Sequence, residues 1–383
     1  MSKRQKKQLW VLPELARSTE ARPSHCPKCR RAGMRWHRRL TRPVVDVHVK
    51  EIEVVQYQCG DPECGASQTV CPPGIAPDCR HSDRTKALSV VLWGLGLSYE
   101  DVARVMKGLG VPITDVGVLL NVRAMGAEAM KRAKAAARRK ASRPVLGADE
   151  TQVKVAGNGV TLGFVTDPSS GEIVGLEMLA SREGEELARW LGEAAGHFGA
   201  KALVTDELDS YKPAAEKLGM QHQLCLAHWR KAVAGRLKQI KGYRKEKELI
   251  REALRKLDEA GLGAIRWLHQ RLRQARPPRK GEKQSPEYAL RMLTLDILEN
   301  WNRLVCYQQT YEPLCDNLGR KVPRGYHVPA TNNATENAIG RGGKIRVKRM
   351  RGFKRLDTVL PIMFLLASLG AVLAGVPFQS LLS

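Results

Sequence analysis

The sequence predicts an α/β fold in which a mixed sheet is interrupted by a long helical insertion and preceded by two small modules. Three observations lead to this prediction. Residues 144–227 alternate short β-branched runs with turn residues, residues 229–325 are charged and helical in pattern, and six of the nine cysteines lie between Cys26 and Cys79. A chain of 383 residues can form two or three domains and bury a core without disulfides.

The charge of the chain indicates a polyanionic partner. Lysine and arginine number 64 against 39 acidic residues, a net charge of +25, which suits DNA, RNA or an anionic membrane surface. A basic protein that is merely soluble is the alternative. The basic N-terminus is not followed by an apolar signal-peptide core, so we expect a reducing, cytoplasmic compartment in which clustered cysteines bind metal rather than form disulfides.

The C-terminal segment needs separate consideration because residues 358–383 carry no charge. Such a length could cross a bilayer. Pro361, Gly370, Gly375 and Pro377 interrupt it, however, so we expect a buried terminal helix and no membrane association.

Residues 1–80 are predicted to form a zinc ribbon. Cys26 and Cys29 form a CxxC pair, Cys59 and Cys64 form a C-x4-C pair, and β-branched residues between the pairs indicate strands. Two such turns joined by strands can offer four thiolates to a tetrahedral Zn²⁺, although free buried thiols remain the alternative. Further possible ligands are left unassigned: His25, His37, Cys71, Cys79 and His81.

Residues 81–143 are predicted to form a helix-turn-helix domain with a basic linker. Ser82 begins a helix that runs through Trp93, Ser98 caps a second helix, and Thr114 begins a third after a glycine-rich break. An ordinary helical hairpin is the alternative. The predicted DNA contacts of this module are Arg123, Lys131, Arg132, Lys134, Arg138, Arg139 and Lys140, although the basic run could also be a solvated face.

Two acids mark the strands of the predicted sheet. Asp149 lies within a first strand spanning 144–155, and Asp206 ends a short buried strand after a helix over 183–198. A hairpin turn at 157–159 should join the first strand to the second, antiparallel one. An acid inside an apolar strand is costly to bury unless it is paired or metal-bound.

Neighbouring acids provide the alternatives to these two positions. Asp206 by itself could be a turn former. The strand pleat should send Glu150 to the face opposite Asp149, and Asp209 is the reserve candidate for the second acid.

The strands that carry Asp149 and Asp206 give the chain a resemblance to bacterial insertion-sequence transposases of the DDE type, which have a ribonuclease-H-like core. The three acidic positions of that family match Asp149, Asp206 and Glu336, the last within Asn-Asn-Ala-Thr-Glu. The run from Cys225 to His228 resembles the Cys-x-x-His motif of the mutator-like branch. The most specific match is the segment around Glu336 with the basic run 346–353, and the resemblance covers about residues 20–370.

The resemblance implies a domain order. A zinc-ribbon DNA-binding domain (1–80) and a helix-turn-helix domain (81–143) precede a ribonuclease-H-like core whose two parts, 144–228 and 329–383, are separated by an all-helical insertion (229–328). The last part would carry the catalytic glutamate and the terminal apolar helix.

The resemblance also implies a function: a transposase that binds the ends of an insertion element and catalyses cleavage and strand transfer of double-stranded DNA. Partners would be the element ends, the target DNA and further copies of the chain in a homodimer or higher oligomer, associated with the bacterial nucleoid. The alternatives are a nuclease that cuts without joining and a domesticated, non-transposing DNA-binding regulator.

The chemistry explains why acids are needed. Two Mg²⁺ (or Mn²⁺) ions about 4 Å apart activate the nucleophile and stabilise the leaving oxygen. Because Mg²⁺ prefers oxygen ligands, Asp149, Asp206 and Glu336 should converge. Cys225 and His228 could bind metal, assist near the cleaved bond or be structural. After Glu336, further phosphate contacts are predicted at Arg346, Lys348, Arg349, Arg351 and Lys354.

Overall fold

A computed structural model describes residues 11–137, 143–308, 310–311, 326–340 and 345–373. The chain forms two compact units, Met1–Arg132 with Arg341–Ser383, and Ala133–Gly340. The predicted contact residues Arg138, Arg139 and Lys140 lie outside the described residues. The predicted domain boundaries stay a prediction. The boundary between the two compact units after Gly340 divides residues 329–383, which the sequence predicted as the final part of the core.

The first unit begins with a three-stranded antiparallel sheet. Strands β1 (Met34–Pro43), β2 (Glu51–Cys59) and β3 (Ser67–Val70) follow the order β1-β2-β3. Apolar residues of β2 such as Ile52 and Val54 are buried, whereas β1 is exposed along almost its whole length. The sheet therefore has one well-packed central strand and one solvent-facing edge strand.

Three helices follow, close to their predicted positions. They are α1 (Asp83–Gly94), α2 (Tyr99–Gly108) and α3 (Asp115–Ala137). Ser82 and Ser98 cap the first two, each accepting a hydrogen bond from the backbone N–H three residues later, as the sequence predicted. Gly110 between α2 and α3 has a φ of +75°, a left-handed conformation that favours glycine.

The second unit is built on a mixed five-stranded sheet. Its strands are β4 (Val145–Val155), β5 (Asn158–Asp167), β6 (Glu172–Leu179), β7 (Ala202–Thr205) and β8 (Gln221–Leu224). The order is β6-β5-β4-β7-β8; the first three strands are antiparallel, and β7 and β8 join in parallel. The predicted α/β fold with a mixed sheet is confirmed.

The turn between β4 and β5 differs from the prediction. Val155 pairs with Asn158, so the two turn residues are Ala156 and Gly157, not residues 157–159. Both have positive φ, +48° and +88°, as a tight hairpin that follows strand twist requires.

Helices cover both faces of this sheet. On one face α4 (Gly184–Phe198) and α5 (Tyr211–Lys217) form a core with Leu146 and Ala148 of β4. On the other face α10 (Asn333–Ile339) packs so closely that a Cβ at Gly147 would lie 2.2 Å from Thr335 Oγ1. Glycine at this position is what allows α10 to approach β4.

The insertion is largely helical and has its own core. Helices α6 (Leu226–Gln239), α7 (Arg244–Lys256), α8 (Glu259–Arg271) and α9 (Pro286–Val305) bury Trp229 and Trp301 among aliphatic residues. The prediction that residues 229–328 are all helical was wrong at the C-terminal end. There β9 (Thr310–Tyr311) and β10 (Tyr326–His327) pair in antiparallel fashion and so satisfy each other's backbone groups.

Residues 345–373 belong to the first unit. Helix α11 (Ile345–Met350) precedes α12 (Val359–Leu373), whose Leu369 lies against Gly94 of α1. The apolar residues of α12 are largely buried, as predicted. Within the described ranges, none of the helices combines the length and the apolar character that crossing a membrane would require.

Candidate active site and metal centres

Asp149 and Asp206 meet because their strands are parallel neighbours. Residues 145–147 of β4 pair with 202–204 of β7, so both acids follow the paired region at the same end of the sheet. One carboxylate oxygen each from Asp149, Glu150 and Asp206 lies within 4.8 Å of the others. Oδ1 of Asp149 accepts the Glu150 N–H at 2.8 Å, and Oδ1 of Asp206 accepts the Leu208 N–H at 3.1 Å.

Glu150 is a member of this cluster that the sequence reasoning missed. Its side chain is only 2% exposed, and its carboxylate accepts hydrogen bonds from Arg182 Nε at 2.8 Å and Tyr211 Oη at 2.9 Å. Burial, then the charge of Glu150, raises the pKa of Tyr211 well above its usual value. Glu150 lies on the face of β4 that α5 covers, as the pleat argument requires, yet one of its carboxylate oxygens still lies within 4.8 Å of those of Asp149 and Asp206. Their adjacency in sequence was the available signal.

Glu336 lies in a different group, with Cys225 and His228. Donor atoms of these three residues are all within 4.8 Å of one another, and His228 Nδ1 is 3.5 Å from Glu336 Oε1. Cys225 directly precedes α6, His228 lies in its first turn, and Glu336 lies on α10. Among the described residues, the structure therefore brings two of the three predicted acids together and places the third beside the Cys-x-x-His motif.

Asn332 connects the two groups. Its backbone N–H donates to Cys225 Sγ at 3.3 Å, and its side-chain Nδ2 donates to the carbonyl of Ala148, the residue before Asp149, at 2.9 Å. Asn332 occupies the N-cap of α10, but its side chain makes no capping bond there. The carboxylate cluster and the Cys225 group are therefore adjacent.

The four predicted zinc ligands converge. Sγ of Cys26 is 3.7 Å from that of Cys64, and Sγ of Cys29 is 3.6 Å from that of Cys59. Four sulfurs about 2.3 Å from a tetrahedral Zn²⁺ would be roughly 3.8 Å apart, so the arrangement fits the ion. A hydrogen bond from the Cys29 backbone N–H is the main cause that lowers the pKa of Cys26 to about 6, whereas burial and the neighbouring sulfurs raise the pKa of Cys59 to about 12.

The predicted DNA-contact residues fall into two groups. The first group, Arg132 and Arg346, is engaged within the protein. Arg132 is half-buried and paired with Glu128. Arg346 is 8% exposed, and its guanidinium lies 4.5 Å from the Trp93 ring centre and donates a hydrogen bond to the Leu97 carbonyl. Burial lowers the pKa of Arg346. The others within the described ranges are exposed: Arg123, Lys131, Lys134, Lys348, Arg349, Arg351 and Lys354.

Strand β1 carries a basic surface that the sequence analysis did not single out. Arg35, Arg38 and Arg39 are exposed along this edge strand, and Trp36 between them is 61% exposed. An exposed tryptophan among arginines is typical of nucleic-acid contacts. The run of arginines around one aromatic residue was the signal in the sequence.

Comparison with known proteins gives a family. The family model described as "Transposase IS66 family" matches residues 82–353, more than two thirds of the chain. A crystal structure of the catalytic core domain of BIV integrase is a structural match with 10% sequence identity and a TM-score of 0.19, covering 47% of this chain and 91% of that one. No curated protein matches the sequence significantly.

Proposed function

The chain belongs to the IS66 transposase family, and from this we propose that it binds insertion-element ends and catalyses Mg²⁺-dependent cleavage and strand transfer of DNA, acting as a homodimer or higher oligomer. The observation that supports the chemistry is the meeting of Asp149 and Asp206 at the end of two parallel strands.

The donor set of the carboxylate cluster suits Mg²⁺. Its ligand atoms are all oxygens, the type that this hard cation prefers. A divalent cation between these carboxylates would offset the repulsion between their like charges. We assign the binding of the metal to Asp149 and Asp206, with Glu336 as third ligand because α10 packs against β4 beside Asp149.

The proposed reaction is an in-line displacement at phosphorus. In cleavage, the oxygen of a water molecule attacks the phosphodiester, the bond to the 3′-oxygen breaks, and the 5′-phosphate keeps the new oxygen. In strand transfer, the freed 3′-hydroxyl attacks a target phosphodiester in the same way. A bound Mg²⁺ pair supplies activation of the nucleophile and stabilisation of the leaving oxygen.

The test uses a duplex that carries the element end, with Mg²⁺, and resolves cleaved from joined products. Asp149→Ala and Asp206→Ala should each lower cleavage by about 10³-fold or more, since metal assistance contributes several kcal/mol. The double variant should be no worse than either single one, because the two residues act as a unit. Asp209→Asn, an exposed carboxylate three residues beyond Asp206, is the matched control.

The possible outcomes separate the alternatives. Cleavage that never leads to joining would indicate a nuclease, and binding of end DNA without any cleavage would indicate a regulator. Normal cleavage by both alanine variants would contradict the assigned site.

The DNA interface is assigned to exposed faces of the first unit. Val116, Leu120 and Arg123 lie exposed on α3, which we propose as the recognition helix, because apolar side chains can contact thymine methyl groups and arginine can read guanine. Lys348 and Arg351 are proposed as phosphate contacts. Arg346 is left out because its guanidinium is held against Trp93.

The salt dependence of binding tests the phosphate contacts. We expect affinity for end DNA to fall steeply with salt, and Lys348→Ala and Arg351→Ala each to reduce the slope by about one. Arg251→Ala, an exposed arginine already paired with Glu248, should leave the slope unchanged. A binding constant that does not respond to salt would rule out this interface.

A further inference from the structure

We propose that Cys225, His228 and Glu336 form a second metal site, which takes a divalent transition-metal ion such as Zn²⁺ and is distinct from both the four-cysteine site and the carboxylate cluster. Resting on the proposed function, we further propose that an ion bound there holds Glu336 away from the catalytic pair and so inhibits DNA cleavage.

The spacing of the donors fits a small tetrahedral ion. Two ligand atoms each about 2.1 Å from a tetrahedral Zn²⁺ lie roughly 3.4 Å apart. The distance from His228 Nδ1 to Glu336 Oε1 is 3.5 Å, and the Cys225 sulfur belongs to the same group within 4.8 Å. Three protein ligands leave a fourth position open for water or another ligand.

Two of the ligand atoms are buried without a partner. His228 Nδ1 and Glu336 Oε1 are inaccessible to solvent, and neither has a hydrogen-bond partner among the described residues, although they face each other. Leaving buried polar atoms unsatisfied costs about 1–3 kcal/mol each. A cation between them would satisfy both atoms at once.

The sulfur of Cys225, the third ligand, is held in place by neighbouring backbone groups. The backbone N–H of Asn332 donates to Cys225 Sγ at 3.3 Å, and the Leu226 N–H is held by the Ala330 carbonyl at 3.0 Å. The bond to the sulfur fixes the direction of this ligand atom, and the backbone bond holds the adjoining segment in place. The sulfur is therefore positioned by the segment that leads into α10.

The two neighbouring donor sets select different ions. A sulfur, an imidazole nitrogen and a carboxylate suit Zn²⁺ and related transition metals, whereas the all-oxygen set of Asp149, Glu150 and Asp206 suits Mg²⁺. The Glu336 carboxylate faces His228 and Cys225, so an ion bound there would hold Glu336 in this position and keep it from the carboxylate cluster. This is the physical basis for inhibition.

Cobalt provides a probe of the site that does not depend on activity. Full-length protein with Zn²⁺ already bound at the four-cysteine site is titrated with Co²⁺, and the cobalt–thiolate charge-transfer absorption is recorded. We expect one additional equivalent with this absorption in the parent protein, its loss in Cys225→Ser, and at least tenfold weaker binding in His228→Gln and Glu336→Gln. Cys306→Ser, which changes another buried cysteine of the same unit, should behave as the parent.

The outcomes decide each half of the proposal. The proposed site would be overturned if the parent protein shows no additional absorption, or if Cys225→Ser keeps it. If Cys225→Ser does not fold, the deciding measurement is the Co²⁺ affinity of His228→Gln. An unchanged affinity in that variant would overturn the site. Micromolar Zn²⁺ should inhibit cleavage by the parent at least tenfold more strongly than cleavage by His228→Gln, and equal inhibition would overturn the regulatory role. A positive cobalt spectrum in a protein that never cleaves DNA would refute the proposed function but not the site.

Discussion

The four-cysteine site and the carboxylate site are built in opposite ways. The cysteines come in two pairs, separated by two and four residues, so each pair is formed by one turn and strands β1 and β2 need only bring two turns together. Asp149, Asp206 and Glu336 come from three elements that are distant in sequence. The first site depends on local spacing, and the second depends on strand order and helix packing.

Metal removal gives the largest expected effect and tests whether the first site is locally determined. A strong chelator should unfold the β1–β3 sheet, because a structural Zn²⁺ contributes about 10 kcal/mol of folding free energy in small modules. Cys29→Ser should have the same effect and weaken DNA-end binding. Limited proteolysis of the full chain should detect cleavage in residues 20–80, while the five-stranded sheet stays protected.

Cys71→Ser is the control for this comparison. Cys71 packs on an apolar cluster with Val44 and Ile52 and is not among the four converging sulfurs. It should retain zinc and protease resistance. Purified protein without zinc in this segment would contradict the assignment.

Gly147→Ala tests the dependence of the second site on packing. The added Cβ would lie 2.2 Å from Thr335 Oγ1 and 2.8 Å from Thr166 Oγ1, so α10 must move away from β4. We expect a loss of about 1–3 kcal/mol in the free energy of unfolding, measured by thermal denaturation, and reduced DNA cleavage. Gly159→Ala in the paired strand β5 meets no atom within 4 Å and should be nearly neutral. Equal stability of the two variants would refute the close approach of α10.

Acid should weaken the core sheet through His222. Burial lowers the pKa of His222 to about 3, below the value of about 6.5 for an unfolded histidine. Between these values the unfolded chain binds a proton that the folded chain does not, so stability falls as pH decreases below about 6.5, by ~2 kcal/mol at pH 5 relative to pH 7.

Hydrogen exchange of β7 and β8 peptides at the two pH values would measure this effect. His222→Gln should reduce the difference between the two pH values, whereas His37→Gln on the exposed strand β1 should preserve it. An unchanged pH dependence in His222→Gln would show that other groups cause it.

The sequence predicted the helices and strands better than it predicted which side chains meet in the folded protein. The capping serines, the succession of strands along the chain and the short buried strand before Asp206 follow from local residue types, and the structure confirms them. Glu150 was missed because the pleat assigns it to the α5 face, beside Tyr211, and does not show that its carboxylate still comes close to those of Asp149 and Asp206. Arg346 was read as a phosphate contact because a run of cations does not indicate which of them packs on Trp93.

The sequence by itself determined the pairs of cysteines, the succession of strands and helices, and the acids within the first strand of the sheet and after the fourth, because each of these depends on neighbours a few residues away. Only the tertiary structure decided that Glu150 joins Asp149 and Asp206, and that Glu336 faces His228 and Cys225. These meetings depend on the register of β4 with β7 and on the approach of α10 allowed by Gly147. Such long-range contacts have no periodic signal along the chain, and so the partners of each acid could be identified only in the folded molecule.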